Sequence, residues 1–323
     1  MRLKKKFIFL ILIVMVLAST LLLIKDGIKK KVVIYDVAVI IRGKNIEDWG
    51  IIKAGMEQAS LERNINLRFI SLLEENNVEE QKKQIQKEFD SGTDAIIISP
   101  ADYEELSTII ENVNKKIPVV LFESKINSKE NIAYISSDNY SLGQKLAEEI
   151  IRNGNTRNKL IIAENNFNYS SINERYNGFL DEIKYSKNTY ELISLPKDDS
   201  MLYSTIKNII EEDEDAVLVS LETSSLEAIG KAKKYLMNSN INNNIEVYGI
   251  GRTSTIISLI EEKLINATII QNDFNIGYLS IETAVDKLEN TKLDSKINIE
   301  YTVINRENMY YKENQKILFP IVR

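Results

Sequence analysis

The sequence predicts an α/β protein of two doubly wound parallel-sheet lobes, preceded by one N-terminal transmembrane helix. Three observations carry this. From residue 32 onward, short β-rich runs alternate with amphipathic helical stretches, the pattern of repeated strand–helix–strand units. The β-rich runs are continuously apolar rather than alternating, as strands buried on both faces of a parallel sheet must be. About ten such runs are too many for one sheet, and the segment AYISSDNYSLG at 133–143 is a natural crossover between two.

The first element follows MRLKKK. It is the uncharged stretch FIFLILIVMVLASTLLLI at 7–24, at the lower limit for spanning a bilayer and long for a signal-peptide core. LAST at 17–20 resembles a lipobox but has Thr20 where the lipidated cysteine belongs, and cleavage there would leave LLLI as the new terminus. An uncleaved single-pass anchor is expected, with a cleaved signal as the alternative. Basic residues flank the segment almost equally, Arg2 and Lys4 to Lys6 before it, Lys25 and Lys29 to Lys31 after it. A signal-anchor in the cell membrane, N-terminus cytoplasmic and body extracytoplasmic, is the default orientation. Residues 1–31 carry 8 basic and 1 acidic side chains, leaving 33 basic and 46 acidic on the body, a net of −13. Such a body repels nucleic acid and anionic lipid, and no nucleic-acid partner is expected.

The body begins with the strand YDVAVIIR (35–42) and a helix over 48–64 with Ile52, Met56 and Ala59 at helical spacing. LRFISL (67–72) precedes a helix opened by Asn77-x-x-Glu80, a capping-box-like start, with Val78, Gln81, Ile85 and Phe89 inward and Gly92 as its end. Strand DAIIIS (94–99), a helix over 103–115 and strand PVVLF (118–122) complete the first set. The second set reads helix 139–152, strand 159–163, helix 172–184, strand 190–195, helix 201–212, strand 216–221, helix 224–237, strand 246–250 and a helix over 255–263. Strand 267–270, helix 276–289 and a final strand 297–304 close the pattern. NSNINNN at 238–244 reads as a loop.

Composition removes whole classes of chemistry. With no cysteine and no histidine, the chain has no thiol nucleophile, no imidazole base, no Ser-His-Asp arrangement and no thiolate or imidazole metal site. Only carboxylates, Lys, Tyr, Ser and Thr remain for catalysis, which counts against an enzyme; a non-enzymatic protein with no metal and no cofactor is expected. GIGRTS (249–254) half-matches a dinucleotide-binding fingerprint, but Ser254 stands in place of its last glycine.

Several stretches, in order, resemble the type I periplasmic binding protein family, nearest to its ribose-type sugar-binding members. They are VAVIIRGKNIEDWGIIKAG (37–55), DAIIISPAD (94–102), IPVVLFES (117–124), YISSDNYSLGQKLAEEI (134–150), SSINERYNGF (170–179), EVYGIGRTS (246–254) and NATIIQNDFNIGYLSIETAVDKL (266–288). The resemblance covers about residues 33 to 310. It implies two lobes joined by a three-strand hinge, closing over a ligand. The crossings fall near Ser136–Asp138, near Gln271–Asp273 and near 299–302, and Asp138 and Asp273 are hinge residues. The domains implied are an anchor at 1–31, a first lobe of 32–136 plus 272–298, and a second lobe of 137–271 plus 299–323.

Trp49, the only tryptophan, corresponds to an aromatic that stacks on a sugar ring in the family; its other reading is a buried anchor at a helix start. Arg42 and Asn45 point where the crevice lies, or are solvated loop residues. Arg175, in the run RYNGF, stands where the family places an arginine whose forked donors engage neighbouring hydroxyls; a surface salt bridge is the alternative. Gln271 ends a strand where the family often has glutamine, as a ligand contact or a hinge amide. Glu123 stands where aspartate is usual, and Ser137 falls at the crevice floor or hinge. Two departures concern the second lobe. Leu221-Glu222 replaces Asn-Asp, and Gly249-Ile250-Gly251 followed by Arg252 replaces Gly-Phe-Asp. Either Glu222 and Arg252 substitute as ligand contacts, or the ligand is less hydroxylated there, or binding is lost.

The resemblance therefore implies a membrane-anchored extracytoplasmic receptor for a small sugar. It would deliver to an ABC permease or present its closed form to a membrane sensor histidine kinase. The competing readings are an interaction module with a degenerate pocket, and a carboxylate-pair enzyme using Glu123, Glu222 and Asp138.

Overall fold

Five strands make the first sheet of the computed structural model: β1 (Tyr35–Ile40), β2 (Ile65–Ile70), β3 (Ala95–Ile98), β4 (Val119–Phe122) and β5 (Ala133–Ile135). They lie in the order β2-β1-β3-β4-β5, and every pairing is parallel. The structure describes residues 33–320, save 214, 242–243, 292–296 and 298, together with residues 13 and 15. The expected membrane segment at 7–24 falls outside the described residues but for Ile13 and Met15. Among the described residues, no helix is long and apolar enough to cross a membrane.

The central strands are apolar throughout because both faces are covered. On one face pack α1 (Gly50–Arg63) and α9 (Asp273–Leu288), burying Ile52, Met56, Ile276 and Ala284 against Val37, Val39 and Val120. On the other pack α2 (Val78–Asp90) and α3 (Ser107–Asn114), burying Ile85, Ile110 and Val113 against Ile40, Ile96 and Leu121. Asn77 caps α2 by accepting from the Glu80 amide at 2.9 Å. The expected box is rerouted, since the Glu80 carboxylate accepts from the Leu73 amide at 2.8 Å.

The second sheet contains β6 (Lys159–Ala163), β7 (Thr189–Ile193), β8 (Val217–Ser220), β9 (Glu246–Ile250), β10 (Ala267–Gln271) and β11 (Tyr301–Asn305), in the order β11-β10-β9-β8-β6-β7. Only the β10–β11 pairing is antiparallel. Helices α4 (Asn139–Arg152) and α5 (Ser170–Ile183) cover one face. Helices α6 (Asp199–Glu212), α7 (Thr223–Asn238) and α8 (Ser254–Glu261) cover the other.

The chain passes between the sheets three times, after β5, after β10 and before β11. The passages are bonded to one another: Ser137 Oγ donates to the Ile299 carbonyl at 3.1 Å, and the Asn272 amide to the Glu300 carbonyl at 3.0 Å.

Several elements differ from expectation, among them β2, at Ile65–Ile70 rather than 67–72, and α3, which begins at Ser107 rather than 103. Ala133–Ile135, read as part of a crossover, forms the short strand β5. The final strand begins at Tyr301 rather than 297, because Ile297 and Ile299 pack into the first sheet's core. A helix not expected at all, α10 (Lys312–Leu318), follows it; only Leu318 of its seven residues is buried, so it carries no apolar stripe to read.

Candidate functional site

Both sheets change strand direction of progression at one point, between β1 and β3 in the first and between β6 and β8 in the second. Doubly wound sheets open a crevice at the C-terminal ends of their strands at such points. The chain obeys this in both halves. Arg42 follows β1, Ser99 follows β3, Glu123 follows β4, Glu164 follows β6, Glu222 follows β8, Gly251 and Arg252 follow β9, and Gln271 ends β10. Between these strand ends lies a cleft of about 490 Å³, lined among others by Arg42, Trp49, Glu123, Asn166, Tyr169, Arg175, Glu222, Arg252, Gln271 and Asp273.

Arg42 is the centre of the first wall. Its Nη1 bonds both Ser99 Oγ and the Glu123 carboxylate, and its guanidinium carbon lies 4.1 Å from the Tyr169 ring centre and 5.1 Å from that of Trp49. Ser99 is fixed from behind by Gln81, whose amide donates to the Ser99 carbonyl at 3.0 Å and accepts from the Ala101 amide at 2.8 Å. Burial alone would lower the Arg42 pKa, but the Glu123 carboxylate, charged and hydrogen-bonded to it, outweighs burial and holds the guanidinium protonated. Burial would raise the Glu123 carboxyl; Arg42 and Arg175 outweigh that and hold it below the usual carboxylate range. Glu123 also adopts a left-handed backbone, φ 64°, a costly conformation for a residue with a Cβ. It is held there by bonds from the Tyr134 hydroxyl (3.1 Å) and Ser136 Oγ (3.4 Å) to its carbonyl.

Arg175 rises from the second lobe, on α5. Its Nε donates to Asn139 Oδ1 at 2.8 Å and its Nη1 to the Leu221 carbonyl at 2.9 Å, while Nη2 comes within 3.9 Å of Glu123. Glu123 thus joins an arginine from each lobe. Trp49 ends a 3-10 turn (Ile46–Trp49) and precedes α1, with its ring edge-on to Phe122 at 5.6 Å. It is partly exposed in the cleft wall, so it serves both as the anchor of the helix start and as cleft lining.

The departures of the second lobe have distinct outcomes. Glu222 lines the cleft and accepts on Oε1 from Asn166 Nδ2 (2.5 Å) and Ser224 Oγ (2.6 Å). Arg252 lines it too, but its Nη2 is bonded to the Leu318 carbonyl at the end of α10, and its Nε has no partner. Gly251 precedes it at φ 137°, where a Cβ would meet Thr223 Oγ1 at 2.2 Å. Gln271 lines the cleft with Oε1 unpartnered. Burial pushes the Asp273 carboxyl up to about 6, against the pull of Arg252.

Two expected contacts lie elsewhere. Asn45 is exposed and caps the 3-10 turn, accepting from the Glu47 amide at 3.1 Å, so its side chain is spent on the backbone. Ser137 is turned to the third passage, where it bonds Ile299. Asp138 caps α4 by accepting from the Ser141 amide at 3.0 Å, away from the Glu123–Glu222 pair that an enzyme would use with it. Neither Asn166 nor Tyr169 was marked by the sequence; both sit in the irregular loop after β6, where no periodicity or motif distinguishes a ligand-facing residue. Among the described residues no cluster of His, Cys, Asp or Glu could hold a metal ion.

The periplasmic binding protein domain matches residues 37–292. Among curated relatives, the ribose import binding protein RbsB of Bacillus subtilis is 23% identical over 253 residues, covering 76% of this chain and 79% of the relative. RbsB of Escherichia coli is 22% identical over 274 residues, covering 84% and 90%. Among solved structures, a carbohydrate transporter solute binding protein of Agrobacterium radiobacter, in complex with D-arabinose, superposes with a TM-score of 0.79 at 17% identity over 88% of this chain and 98% of that one. The XylFII-LytSN complex gives 0.75 at 23% identity over 85% and 99%. These relatives carry binding rather than catalytic names, and the structural likenesses are likenesses of fold.

Proposed function

This chain belongs to the periplasmic binding protein domain family, and from that premise we propose that it is an extracytoplasmic receptor for a small sugar, tethered to the cell membrane through residues 7–24. The cleft carries this reading. Its volume of about 490 Å³ suits a small ligand, and its wall combines the partly exposed Trp49 ring with the polar side chains of Arg42, Glu123, Glu222, Arg252 and Gln271. A sugar presents an apolar C–H face and a rim that both donates and accepts, which is what this mixture complements. Arg42, Trp49, Glu123, Arg175, Glu222, Arg252 and Gln271 are the contacts proposed. Asp273, at the second passage, is proposed as a hinge residue.

Two outputs fit such a receptor. Delivery to an ABC permease is supported by relatives named for ribose import. Presentation to a membrane sensor histidine kinase is the second reading, favoured by a neighbour solved as a complex of two proteins, XylFII and LytSN, and by the anchor proposed above.

Thermal unfolding of the full chain against a panel of pentoses, hexoses, polyols, amino sugars and sugar acids tests the receptor. Stabilisation by one sugar, abolished in Arg175→Ala, is the expected result. No shift with any of them removes the sugar reading and leaves an interaction module.

A further inference from the structure

The cleft's cations are all engaged by the protein itself. Arg42 pairs with Glu123, Arg175 bonds Asn139 and the Leu221 carbonyl, Lys231 pairs with Glu227, and Arg252 bonds the Leu318 carbonyl. Five lining carboxylates, Asp48, Glu75, Asp199, Glu222 and Asp273, have no cation within ion-pair distance among the described residues; Asp273, at the second passage, feels the charge of Arg252. The first three stand exposed at the rim, where solvent screens them; Glu222 is half-buried inside.

Glu222 is also built in. Its Oε1 accepts from Asn166, Ser224 and Ser225, at 2.5, 2.6 and 3.2 Å, so its position is fixed, while Oε2 has no donor among the described residues. A second carboxyl stands behind it. Glu164, only 2% exposed, accepts on Oε1 from the Asn165 and Asn166 amides at 2.8 and 2.9 Å, and its Oε2 has no partner. Asn166 therefore touches both acids, and the switch point of the second sheet holds a pair of carboxyl groups with no cation in ion-pair contact among the described residues; Arg42 and Arg175 act on them only from beyond that distance. A hydroxyl can donate to Glu222 but cannot neutralise it. An ammonium donates three hydrogens and carries the opposing charge, and a carboxylate or phosphate on the ligand adds to the repulsion.

We propose that Glu222 sets the specificity of the cleft for a sugar that bears a protonated amine, an amino sugar rather than a neutral or acidic one. This rests on the reading of the cleft as a sugar site. Glu222 receives the ammonium, and Asn166, bonded to both acids, holds it in front of the buried Glu164 carboxyl.

The test is calorimetric titration of the full chain with D-glucosamine, D-galactosamine and D-mannosamine, each beside its parent hexose and its N-acetyl form, with D-glucuronate as the acidic probe. At least one amine is expected to bind about tenfold tighter than its parent and its N-acetyl form, the margin of one charge-assisted hydrogen bond. In Glu222→Gln, checked for folding by its unfolding midpoint, that gap closes. The wild-type gap between amine and N-acetyl form reads the same charge without any substitution. A neutral sugar or D-glucuronate that binds as tightly as every amine, or a gap that survives Glu222→Gln, overturns the inference and leaves the sugar site standing. If no sugar of any class binds, the receptor reading falls and takes this inference with it.

Discussion

Arg175 shows how a residue can be read for the right place and the wrong exposure. The run RYNGF pointed to a forked donor aimed at a ligand, yet the side chain is 3% exposed and two of its nitrogens are already bonded, to Asn139 and to the Leu221 carbonyl. Its remaining Nη2, near Glu123, is the arm that a ligand can share. Arg175→Lys keeps the charge but not the fork. It leaves at least one buried acceptor without a donor, and we expect it to lower stability by about 1–3 kcal/mol and to abolish ligand-induced stabilisation, both read by thermal unfolding. Glu164 gives a second prediction with a sign opposite to the usual carboxylate. Burial, reinforced by Glu222, pushes it up to about 8 from an unfolded value near 4.5. Between those values the folded state holds a proton that the unfolded state has released, so stability falls as pH rises across the window, by up to about 1.4 kcal/mol per unit. Glu164→Gln removes the titration. Its unfolding midpoint, compared with that of the wild type, gains steadily from pH 5 to pH 8 and then levels; a difference that does not change with pH refutes a buried neutral carboxyl at 164.

The elements repeat one packing device in both halves. In each lobe, the helix that follows a passage between the sheets lies on the helix that follows the lobe's first strand, α9 on α1 and α4 on α5. Each pair meets at two glycines. A Cβ on Gly55 would come 2.0 Å from the Phe274 carbonyl oxygen and one on Gly277 1.9 Å from that of Ile52. In the other pair, Gly143 faces the Arg175 carbonyl at 1.9 Å and Gly178 that of Tyr140 at 2.0 Å. These obstacles are backbone and cannot rotate away. Gly143→Ala must displace the turn that carries Arg175, and we expect a loss of about 1–3 kcal/mol together with weaker ligand binding. Gly230→Ala is the contrast: its nearest neighbours are the side-chain ends of Leu259 and Ile265, at 2.7 and 3.0 Å, and alanine favours a helix. Its unfolding midpoint should stay closer to the wild type than that of Gly143→Ala. Legibility divides along the same physical line. Strands 159–163 and 246–250 and helix 139–152 were readable to the residue because each has an unbroken apolar run or stripe ending at polar residues. The run INIEYTVIN was readable as extended but not where it pairs, because Ile299 serves the first core and Ile304 the second. No local pattern records that a single extended run changes hosts midway.

At the scale of the whole body, the two-lobed fold was legible because strand count and apolar continuity are properties of the chain alone. The cleft was legible only in part. Strand-end residues such as Arg42, Glu123 and Gln271 could be placed from topology, whereas Tyr169 acquires its place by meeting Arg42, which lies far away in sequence on the opposite lobe. That meeting belongs to a band of contacts that holds the lobes together beside the cleft. Ser124 and Ser170 hydroxyls lie 3.0 Å apart, the Lys125 amide donates to Ser170 Oγ at 2.8 Å, Lys125 pairs with Glu174, and the Tyr103 amide donates to the Asn168 carbonyl at 3.0 Å. The second-lobe partners of these contacts fall between Asn168 and Glu174, on one loop and the first turn of α5, next to Arg175 and its approach to Glu123. The members of this clasp are few and polar and the three passages are narrow, a combination that permits hinge opening. Ser170→Ala removes two of the clasp's bonds and Tyr169→Ala removes the face on which Arg42 rests. The double variant keeps both sheets and the first lobe's core, and removes one buried ring, Tyr169, from the core of the second. It is expected to unfold as a cooperative protein, to scatter X-rays with a larger radius of gyration than the wild type, and to bind ligand more weakly, since ligand must then close lobes that the clasp no longer helps to hold. An unchanged radius would mean that the passages themselves set the angle between the lobes. Ligand affinity in this family member would then depend on the cleft walls alone, with no share taken by closure.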